Sequence, residues 1–421
     1  MSCLRLRSFR VEDPAFLVIL AGVCAALHVG KLSPALPVLR EALGVTLLQA
    51  GFLLSLVQFA GMTLGLTVGL AADGLGLKRS MVVGLLVLFV ASSLGGLARD
   101  ANTLLILRAV EGFGFLLVSM PAPSLIRHLV QPHRMSAMLG LWGAYMPLGT
   151  ALALLCGPLV IASSSWQVWW WGLAGLTLLM AVWLWQALPS DAVRASGLGS
   201  AIPPQGGGGG RRIAGDSWPQ RLHLTLTSRG PWLVALSFAV YSGQWLAVVG
   251  FLPTIYVQAG FAGGVTAVLT ALVAAVNMVG NIVSGRLLSR GVRPQTLLYT
   301  GFGVMGLGTL VAFVVFPMEP GGTGFSPAVR FASILLFSMV GGMIPGTLYS
   351  LAVQLAPGER TVSTTVGWMQ QWAAFGQFAG PPLVAWVAGA SGGWHWTWAV
   401  TGACSAVGIL LAWQLSQRSR L

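Results

Sequence analysis

Charged residues are scarce in this sequence. Only 8% of its 421 residues are Asp, Glu, Lys or Arg, whereas 56% are hydrophobic and the mean hydropathy is +0.81. A soluble globular domain carries about 25% charged residues. The composition therefore excludes a protein whose whole surface faces water, and it predicts an integral membrane protein with many spans.

Cysteine and histidine are also rare. The four cysteines, Cys3, Cys24, Cys156 and Cys404, are far apart and have no metal-ligand spacing, which is typical of small packing residues rather than of a disulfide framework. The five histidines are dispersed, and the sequence has no glycine-rich nucleotide-binding loop. Nothing here supports catalysis, a metal site or a cofactor, so we expect a protein that is not an enzyme.

Long apolar segments make up most of the chain. A bilayer core requires about 20 apolar residues per helix. Six such segments precede residue 190 and six follow residue 228, at approximately 14–39, 45–71, 79–98, 102–127, 135–160, 166–188, 230–258, 262–288, 294–317, 328–355, 361–389 and 395–415. The basic N-terminus resembles that of a signal peptide, but no small-residue cleavage site follows, so we expect an uncleaved first helix. The sequence predicts an all-α membrane protein with twelve transmembrane helices.

A glycine-rich segment separates the two sets of spans. Residues 191–228 contain a run of five glycines together with proline and serine, a composition typical of a flexible linker without a core of its own. We therefore predict a six-helix half over 1–190, a linker over 191–228 and a second six-helix half over 229–421.

The basic residues are distributed asymmetrically about these spans. Of the 23 Lys and Arg residues, 18 fall at the termini, in the linker or in the connections on the linker side, and three, Arg40, Arg99 and Arg330, fall on the opposite side. Basic residues beside membrane spans stay in the cytoplasm. Both termini and the linker are therefore predicted to be cytoplasmic, in an inner membrane. The net charge of +13 follows from this topology and indicates no nucleic-acid partner.

The two halves repeat each other in sequence. At a constant offset of 216 the matching positions include Leu36-Pro37 with Leu252-Pro253, Gly44 with Gly260 and Gly69 with Gly285. The offset has grown to 228 where WQVWWW (166–171) matches WHWTW (394–398). Repeated halves are a signature of secondary transporters, which hold their substrate between the halves at mid-membrane. The repeat favours a transporter over a membrane enzyme.

Several motifs resemble those of the major facilitator superfamily. GLAADGLGLKRS (69–80) resembles its cytoplasmic loop motif, GRLLSRGVR (285–293) resembles the degenerate second copy, and RAVEGFGF (108–115) resembles its RxxxGxG motif. GKLSPALPVL, LGVTLLQAGFLLSL and GLWGAYMPLGTALALL are similar to the branch that includes cyanate and nitroimidazole transporters. The resemblance covers the whole chain and implies the twelve-helix fold of that superfamily and transport by alternating access.

The loop motif also has a physical rationale. Close helix approach at Gly69, hydrogen bonds from a helix N-terminus to Asp73, and a loop held at the membrane surface by Lys78 and Arg79 would together latch a gate. We assign this gating role to Gly69, Asp73, Gly76, Lys78 and Arg79. Gly74 stands where the family often has a basic residue, and a loop that only sets topology is the alternative.

Arg108 and Glu111 are ionisable residues inside the fourth span. They are three residues apart and therefore share one helix face. A charged residue at a helix centre costs about 2.5–3.5 kcal/mol to insert, so such a pair faces the bundle interior or a water-filled cavity. Glu111 is the only carboxylate placed well inside a span, which makes it the candidate for proton coupling. A permanently satisfied structural pair is the alternative.

His28 and Lys31 lie one turn apart in the first span, and the 216 offset places Gln244 of the seventh span opposite His28. Lys31 has no acidic residue near it on its own helix. Its charge needs Glu111 across the bundle, a snorkelling route to the outer surface, or an anionic substrate. The substrate-binding candidates are His28, Lys31, Arg108, Trp142, Tyr145, Gln244, Asn277 and Gln370.

Lys31 and Arg108 outnumber the single buried carboxylate, which favours an anionic substrate. We therefore expect a monomeric secondary carrier that moves a small anionic or polar solute together with protons. The alternatives are efflux of amphipathic drugs or metabolites by proton antiport, and a non-transporting membrane sensor.

The predicted orientation has a direct test. In a variant without native cysteines, single cysteines at Gly208 and Ser419 should be protected from an impermeant thiol reagent in intact cells, because both positions are predicted to be cytoplasmic. A cysteine at Gly322 should react. Labelling at Gly208 from outside would reverse the orientation.

Overall fold

In the computed structural model the described residues are 14–131, 138, 141–189, 218–314, 325–358 and 361–418, without the side chains of residues 68–75, 218, 363 and 418. Within these ranges all regular structure is helical. The helices of the first half are α1 (Pro14–Gly30), α2 (Leu32–Leu43), α3 (Leu47–Ser55), α4 (Phe59–Leu75), α5 (Leu77–Gly95), α6 (Ala101–Ser119), α7 (Ala122–Leu129), α8 (Tyr145–Ser163) and α9 (Trp166–Ala187).

The second half begins after a short helix in the connection between the halves. This short helix is α10 (Trp218–Thr227). The remaining helices are α11 (Arg229–Gln258), α12 (Gly263–Ser289), α13 (Pro294–Phe313), α14 (Pro327–Gly341), α15 (Met343–Gln354), α16 (Val362–Ser391) and α17 (Thr397–Arg418).

These helices account for the predicted spans. Eleven helical segments in the described ranges are long and apolar enough to cross a membrane, and several of them combine two helices, such as α1 with α2. Helix α16 is 30 residues long but is not among these eleven segments, because its glutamines and adjacent prolines lower its hydropathy. It lies at the predicted eleventh span and packs against α3, α4 and α11 inside the bundle. The predicted all-α, twelve-helix membrane fold is confirmed.

Proline divides the first span into two helices. Helix α1 ends at Gly30 and α2 begins at Leu32, just before Pro34, whose ring cannot continue a regular helix. The last bond of α1 joins the N–H of Lys31 to the carbonyl of Leu27 at 2.8 Å. The carbonyls of His28 and Lys31 therefore lie outside the α1 hydrogen-bond ladder and are available to side chains.

The internal repeat is visible in the turns between helices. Gly44 and Gly260, 216 residues apart, have φ angles of +63° and +83°. Gly76 and Gly291, one residue closer together, have φ angles of +88° and +84°. Only glycine adopts positive φ at no steric cost, so the glycines of the two motif copies serve the same turn. The Gly76 and Gly291 turns lie on the side of the linker, here called the linker face, and Gly44 and Gly260 lie on the opposite side, the far face.

The two halves contact each other through equivalent helices. Helices α3 and α4 pack against α16, and α8 packs against α12. Near the far face, buried apolar residues of both halves form one cluster that includes Leu36, Leu54, Phe251 and Val384. The contact is so close that a Cβ on Gly51 would lie 2.8 Å from the Cα of Pro382. This contact surface is called the seam below.

Helix α10 lies within the range predicted as linker and is anchored to the second half. It packs against α11 and α16, and Thr225 is buried. The indole N–H of Trp232 donates to the carbonyl of Leu226 at 2.8 Å. The end of the linker is thereby attached to the linker-face end of α11.

Candidate functional site

Four ionisable residues of the first half, His28, Lys31, Arg108 and Glu111, meet in one buried group, here called the charge cluster. Their side chains are at most 1% exposed. At 1.5 Å per residue, Glu111 lies about 15 Å from the far-face end of α6, which is the middle of a core about 30 Å thick. The cluster therefore has the depth that the sequence suggested for a functional site.

Glu111 holds both cations. One carboxylate oxygen, Oε1, accepts a hydrogen bond from Nζ of Lys31, and the other, Oε2, accepts from Nη1 of Arg108 at 2.5 Å. Nζ of Lys31 also donates to Oγ of Ser92 at 2.9 Å. Two cations share one carboxylate, so these three residues carry a net charge of +1.

The remaining donors of Arg108 reach backbone carbonyls at the helix breaks. Nη1 donates to the carbonyl of His28 at 2.7 Å, and Nε donates to the carbonyl of Leu53 at 3.0 Å. The α-helical bonds of α3 end with the N–H of Leu56 on Phe52, so the Leu53 carbonyl also lies outside its ladder. Nη2 of Arg108 is buried without a partner. The carbonyls released by the helix breaks accept hydrogen bonds from Nε and Nη1 of the guanidinium, but Nη2 has no acceptor.

The hydrogen bonds of His28 indicate its charge. An ammonium group only donates, so Nδ1 of His28, 3.3 Å from Nζ of Lys31, acts as an acceptor. Nε2 therefore carries the proton and donates to Oγ1 of Thr177 at 2.7 Å, and Thr177 donates onward to the carbonyl of Leu173. His28 is a neutral imidazole, and the net charge of the cluster stays +1.

Lys31 is fully enclosed. Its Nζ lies 4.8 Å from the ring centroid of Trp170, and its carbonyl accepts from the indole N–H of Trp169 at 3.0 Å. Its exposed fraction is 0%, so the lysine does not snorkel to the surface. Of the three explanations for its charge, the structure shows the pairing with Glu111.

The second half has a neutral counterpart of this site. Oγ of Ser405 donates to Oε1 of Gln244 at 3.1 Å. Gln244 corresponds to His28 at an offset of 216, and Ser405 corresponds to Thr177 at an offset of 228. The same two positions are therefore hydrogen-bonded in both halves, with His28 as the donor in the first and Ser405 in the second, and the second copy carries no charge. The sequence pairing of His28 with Gln244 reflects repeated positions, and each residue bonds within its own half.

The other substrate-binding candidates lie apart from the charge cluster. Trp142 and Tyr145 stack with ring centroids 4.1 Å apart. Asn277 donates to the hydroxyl oxygen of Tyr241 at 3.1 Å and to the carbonyl of Ser338 at 2.8 Å. The stack joins residues three apart in sequence, whereas the bonds of Asn277 hold α12 to α11 and α14 within the second half.

Gln371 makes a polar contact across the seam, although it is half-buried to the same class as its neighbour Gln370. Nε2 of Gln371 donates to the carbonyl of Met62 at 2.8 Å, and its Oε1 accepts from the N–H of Leu66 at 3.3 Å. Met62 and Leu66 are four residues apart, so the amide bridges one backbone donor and acceptor pair of α4. The rotation of α16 decides which glutamine faces α4, and the sequence carries no signal for it.

The predicted gating residues are partly described. Lys78 is buried, donates to the carbonyl of Leu188 at the end of α9 and lies 4.9 Å from the ring centroid of Trp185. Arg79 is exposed, and Gly76 has the positive φ noted above. Gly69 and Asp73 lie on α4, but the side-chain contacts of this stretch fall outside the described residues. The motif thus connects α5 to α9, and its gating role remains a prediction.

The RxxxGxG motif brings helices close to the charge cluster. A Cβ on Gly112 would lie 2.5 Å from the carbonyl oxygen of Val57, and one on Gly114 would lie 2.8 Å from the carbonyl oxygen of Gly84. Both glycines are needed for this approach, which sets the position of α6 and hence of Arg108 and Glu111.

Two repeated six-helix halves, the first of which contains a buried charge cluster, are the architecture of a secondary transporter. The profile of the Major Facilitator Superfamily matches residues 18–375, so the chain belongs to this superfamily. It is a multi-pass membrane protein of a transporter family and not an enzyme.

Individual relatives are distant. The cyanate transport protein CynX of Escherichia coli is 23% identical over 394 residues, which cover 90% of this chain and 91% of CynX. The facilitated glucose transporter member 10 of Homo sapiens is 28% identical over 72% of this chain, and the match spans only 58% of that protein. The fold is shared with the proton:xylose symporter XylE (TM-score 0.71, 17% identity, 96% and 95% coverage) and with a bacterial homolog of the human lysosomal transporter Spinster (TM-score 0.74, 15% identity, 96% of both chains).

The seam contact of Gln371 generates a prediction. Gln371→Leu should weaken the contact between the halves by about 1–3 kcal/mol, because it removes two hydrogen bonds and preserves side-chain bulk. In a background without native cysteines, spin labels at His128 and Ser289, both exposed on the linker face, should report a longer or broader distance distribution.

Gln370→Leu is the matched control, since it makes the same change one residue away. It should leave the distance distribution unchanged. Equal effects of the two substitutions would show that Gln371 does not hold the seam.

Proposed function

We propose that this protein carries a small anion across the inner membrane by alternating access and moves a proton with it. The observation that carries the proposal is the charge cluster, in which Lys31 and Arg108 share one carboxylate at mid-membrane. A buried net charge of +1 is costly in low dielectric and favours one bound anion. The unpartnered Nη2 of Arg108 supplies a free donor for it.

Proton coupling follows from the same charge count. Glu111 ionised gives the cluster a net charge of +1, and Glu111 protonated gives +2. Each state favours an anion, and the protonated state favours it more strongly. Anion binding and protonation of Glu111 therefore assist each other by linkage, which is the requirement for symport.

The cluster is sealed in this conformation, so the solute gains access only when the halves move apart. The seam contacts of Gln371 and of the far-face apolar cluster are the contacts that must break. The cluster itself lies within one half and moves as a unit with it. We infer the orientation from the basic residues of the linker face, which place that face and both termini in the cytoplasm.

The relatives are consistent with a small solute. The cyanate transport protein matches over nine tenths of both chains, and its name describes transport of a small anion. We infer no particular solute from it, since 23% identity permits a change of substrate.

Efflux of amphipathic molecules is the second candidate. The stacked rings of Trp142 and Tyr145 and the partly exposed Tyr349 supply aromatic surface in both halves. Multidrug resistance protein 3 of Bacillus subtilis is 34% identical, although over only 24% of this chain. An aromatic pocket binds apolar ligands, and such binding does not require the net positive charge of the charge cluster. The efflux candidate therefore leaves that charge unexplained.

One prediction of this proposal concerns Lys31. Cyanate, nitrate and formate should raise the melting temperature of the purified protein, since a ligand that binds the folded state stabilises it. Lys31→Gln keeps the Arg108–Glu111 pair and removes the excess charge, so the half-maximal concentration of the effective anion should rise about 10- to 100-fold, the worth of a charge-assisted hydrogen bond.

Lys31→Arg should retain part of the affinity, because the charge survives in a different geometry. Stabilisation by lipophilic drugs alone, equal in the wild type and in Lys31→Gln, would favour the efflux candidate. Identical anion affinity in the wild type and Lys31→Gln would remove the support for the anion proposal.

Another prediction of this proposal concerns Glu111. In proteoliposomes, the Lys31→Gln/Glu111→Gln double variant keeps the cluster at +1 through Arg108 and removes the proton acceptor. It should lose accumulation driven by a pH gradient and retain counterflow exchange, because exchange needs no net proton movement.

Glu111→Gln alone leaves two buried cations without a counter-charge and should destabilise the fold by about 3–5 kcal/mol. The double variant should be more stable than this single variant, as melting temperatures would show. A double variant that still accumulates solute with the pH gradient would exclude Glu111 as the proton site.

A further inference from the structure

A pocket with both polar and apolar lining residues lies on the linker face of the second half, far from the charge cluster. It has a volume of about 730 Å³ and is formed where the end of α10, the start of α11 and the end of α17 meet. Its lining consists of Leu226, Thr227, Ser228, Arg229, Trp232, Leu233, Trp413, Gln414 and Gln417. Neither the superfamily motifs nor the proposed transport mechanism uses these residues.

The pocket presents donors to its contents. The exposed Arg229 and the amides of the exposed Gln414 and Gln417 supply N–H groups. The hydroxyls of Thr227 and Ser228 donate instead to carbonyls of α10, at 2.7 Å and 2.6 Å. The side chains free to donate therefore come from α11 and α17, on two sides of the pocket.

The positive charge of this region has no counter-ion within the described part of the chain. The ion pairs between described side chains all belong to the charge cluster of the first half. Arg229 thus faces the pocket without a carboxylate partner. Arg221, on α10, is not among the lining residues, and its Nε is buried without a hydrogen-bond partner. An anion is the ligand that this arrangement accommodates.

The position of the pocket identifies the kind of anion. Helix α11 begins at Arg229 and α17 ends at Arg418, so the pocket lies where the spans leave the bilayer. Trp413, which lines the pocket, is 54% exposed, and Leu224 of α10 is 49% exposed. Tryptophan at this level is typical of the lipid headgroup region. The ligand meets polar donors at one end and lipid-facing apolar surface at the other.

We propose that this pocket binds the phosphate headgroup of an anionic phospholipid, with Arg229, Gln414 and Gln417 on the phosphate and the acyl chains beside Trp413. A lipid bound there joins α10, α11 and α17. It thereby fastens the end of the linker to the second half, in addition to the bond between Trp232 and Leu226.

Native mass spectrometry of the full-length protein in detergent tests the proposal, with phosphatidylglycerol and phosphatidylcholine as probes. The wild type should retain phosphatidylglycerol in preference to phosphatidylcholine. Arg229→Gln should reduce that retention about fivefold, the factor that one basic residue contributes at an anionic surface. Arg290→Gln, an exposed arginine of the same face and half, should behave as the wild type.

Melting temperatures distinguish a lipid from a free anion. Phosphatidylglycerol should stabilise the wild type more than Arg229→Gln, and inorganic phosphate at millimolar concentration should not. Stabilisation by inorganic phosphate to the same extent would overturn the lipid assignment. Equal phosphatidylglycerol retention by Arg229→Gln and Arg290→Gln would overturn the site.

Discussion

The burial of charge in the first half depends on one interaction, the pairing of the Glu111 carboxylate with both Lys31 and Arg108. Burying three charged groups in a bilayer is tolerated only when each finds partners of opposite charge or dipole. Both oxygens of Glu111 are occupied by cations, and the surplus donors reach Ser92 and two backbone carbonyls. Removing the carboxylate would leave two cations with only dipoles to hold them.

The helix breaks are part of this solution. Pro34 ends α1 at Gly30, and the 3₁₀ turn at Leu56–Gln58 ends α3 early. Each break releases a carbonyl from its helix, and Arg108 binds one from each. In a membrane these carbonyls cannot form hydrogen bonds with water. The released carbonyls therefore need a donor and the buried arginine needs acceptors, and each supplies the other. A regular α1 would offer Arg108 no carbonyl at His28.

The two halves share a backbone plan and differ in chemistry. The same positive-φ glycines end the same helices, and Gln244 with Ser405 repeats the contact of His28 with Thr177. The described ion pairs, however, are all in the first half. The charge cluster gives the first half a site with a defined sign, while the second half has a neutral counterpart of that site, formed by Gln244 and Ser405. Gln371 crosses between the two through backbone groups of α4, so its contact depends on the approach of the halves rather than on any side-chain partner.

The sequence by itself determined the fold class, the approximate span positions and the internal repeat, and it named the four residues of the charge cluster among its candidates, because hydropathy, glycine turns and ionisable residues in apolar segments are local signals. It left three explanations for Lys31, and it named Gln370 as a candidate although Gln371 makes the contact across the seam. Only the tertiary structure decided that Lys31 pairs with Glu111, that Gln244 and Asn277 bond within their own half, and that Gln371 bridges the seam. Those outcomes depend on how each helix is rotated about its axis and on which carbonyls its breaks release. Both are settled by packing between segments distant in sequence, which no local pattern records.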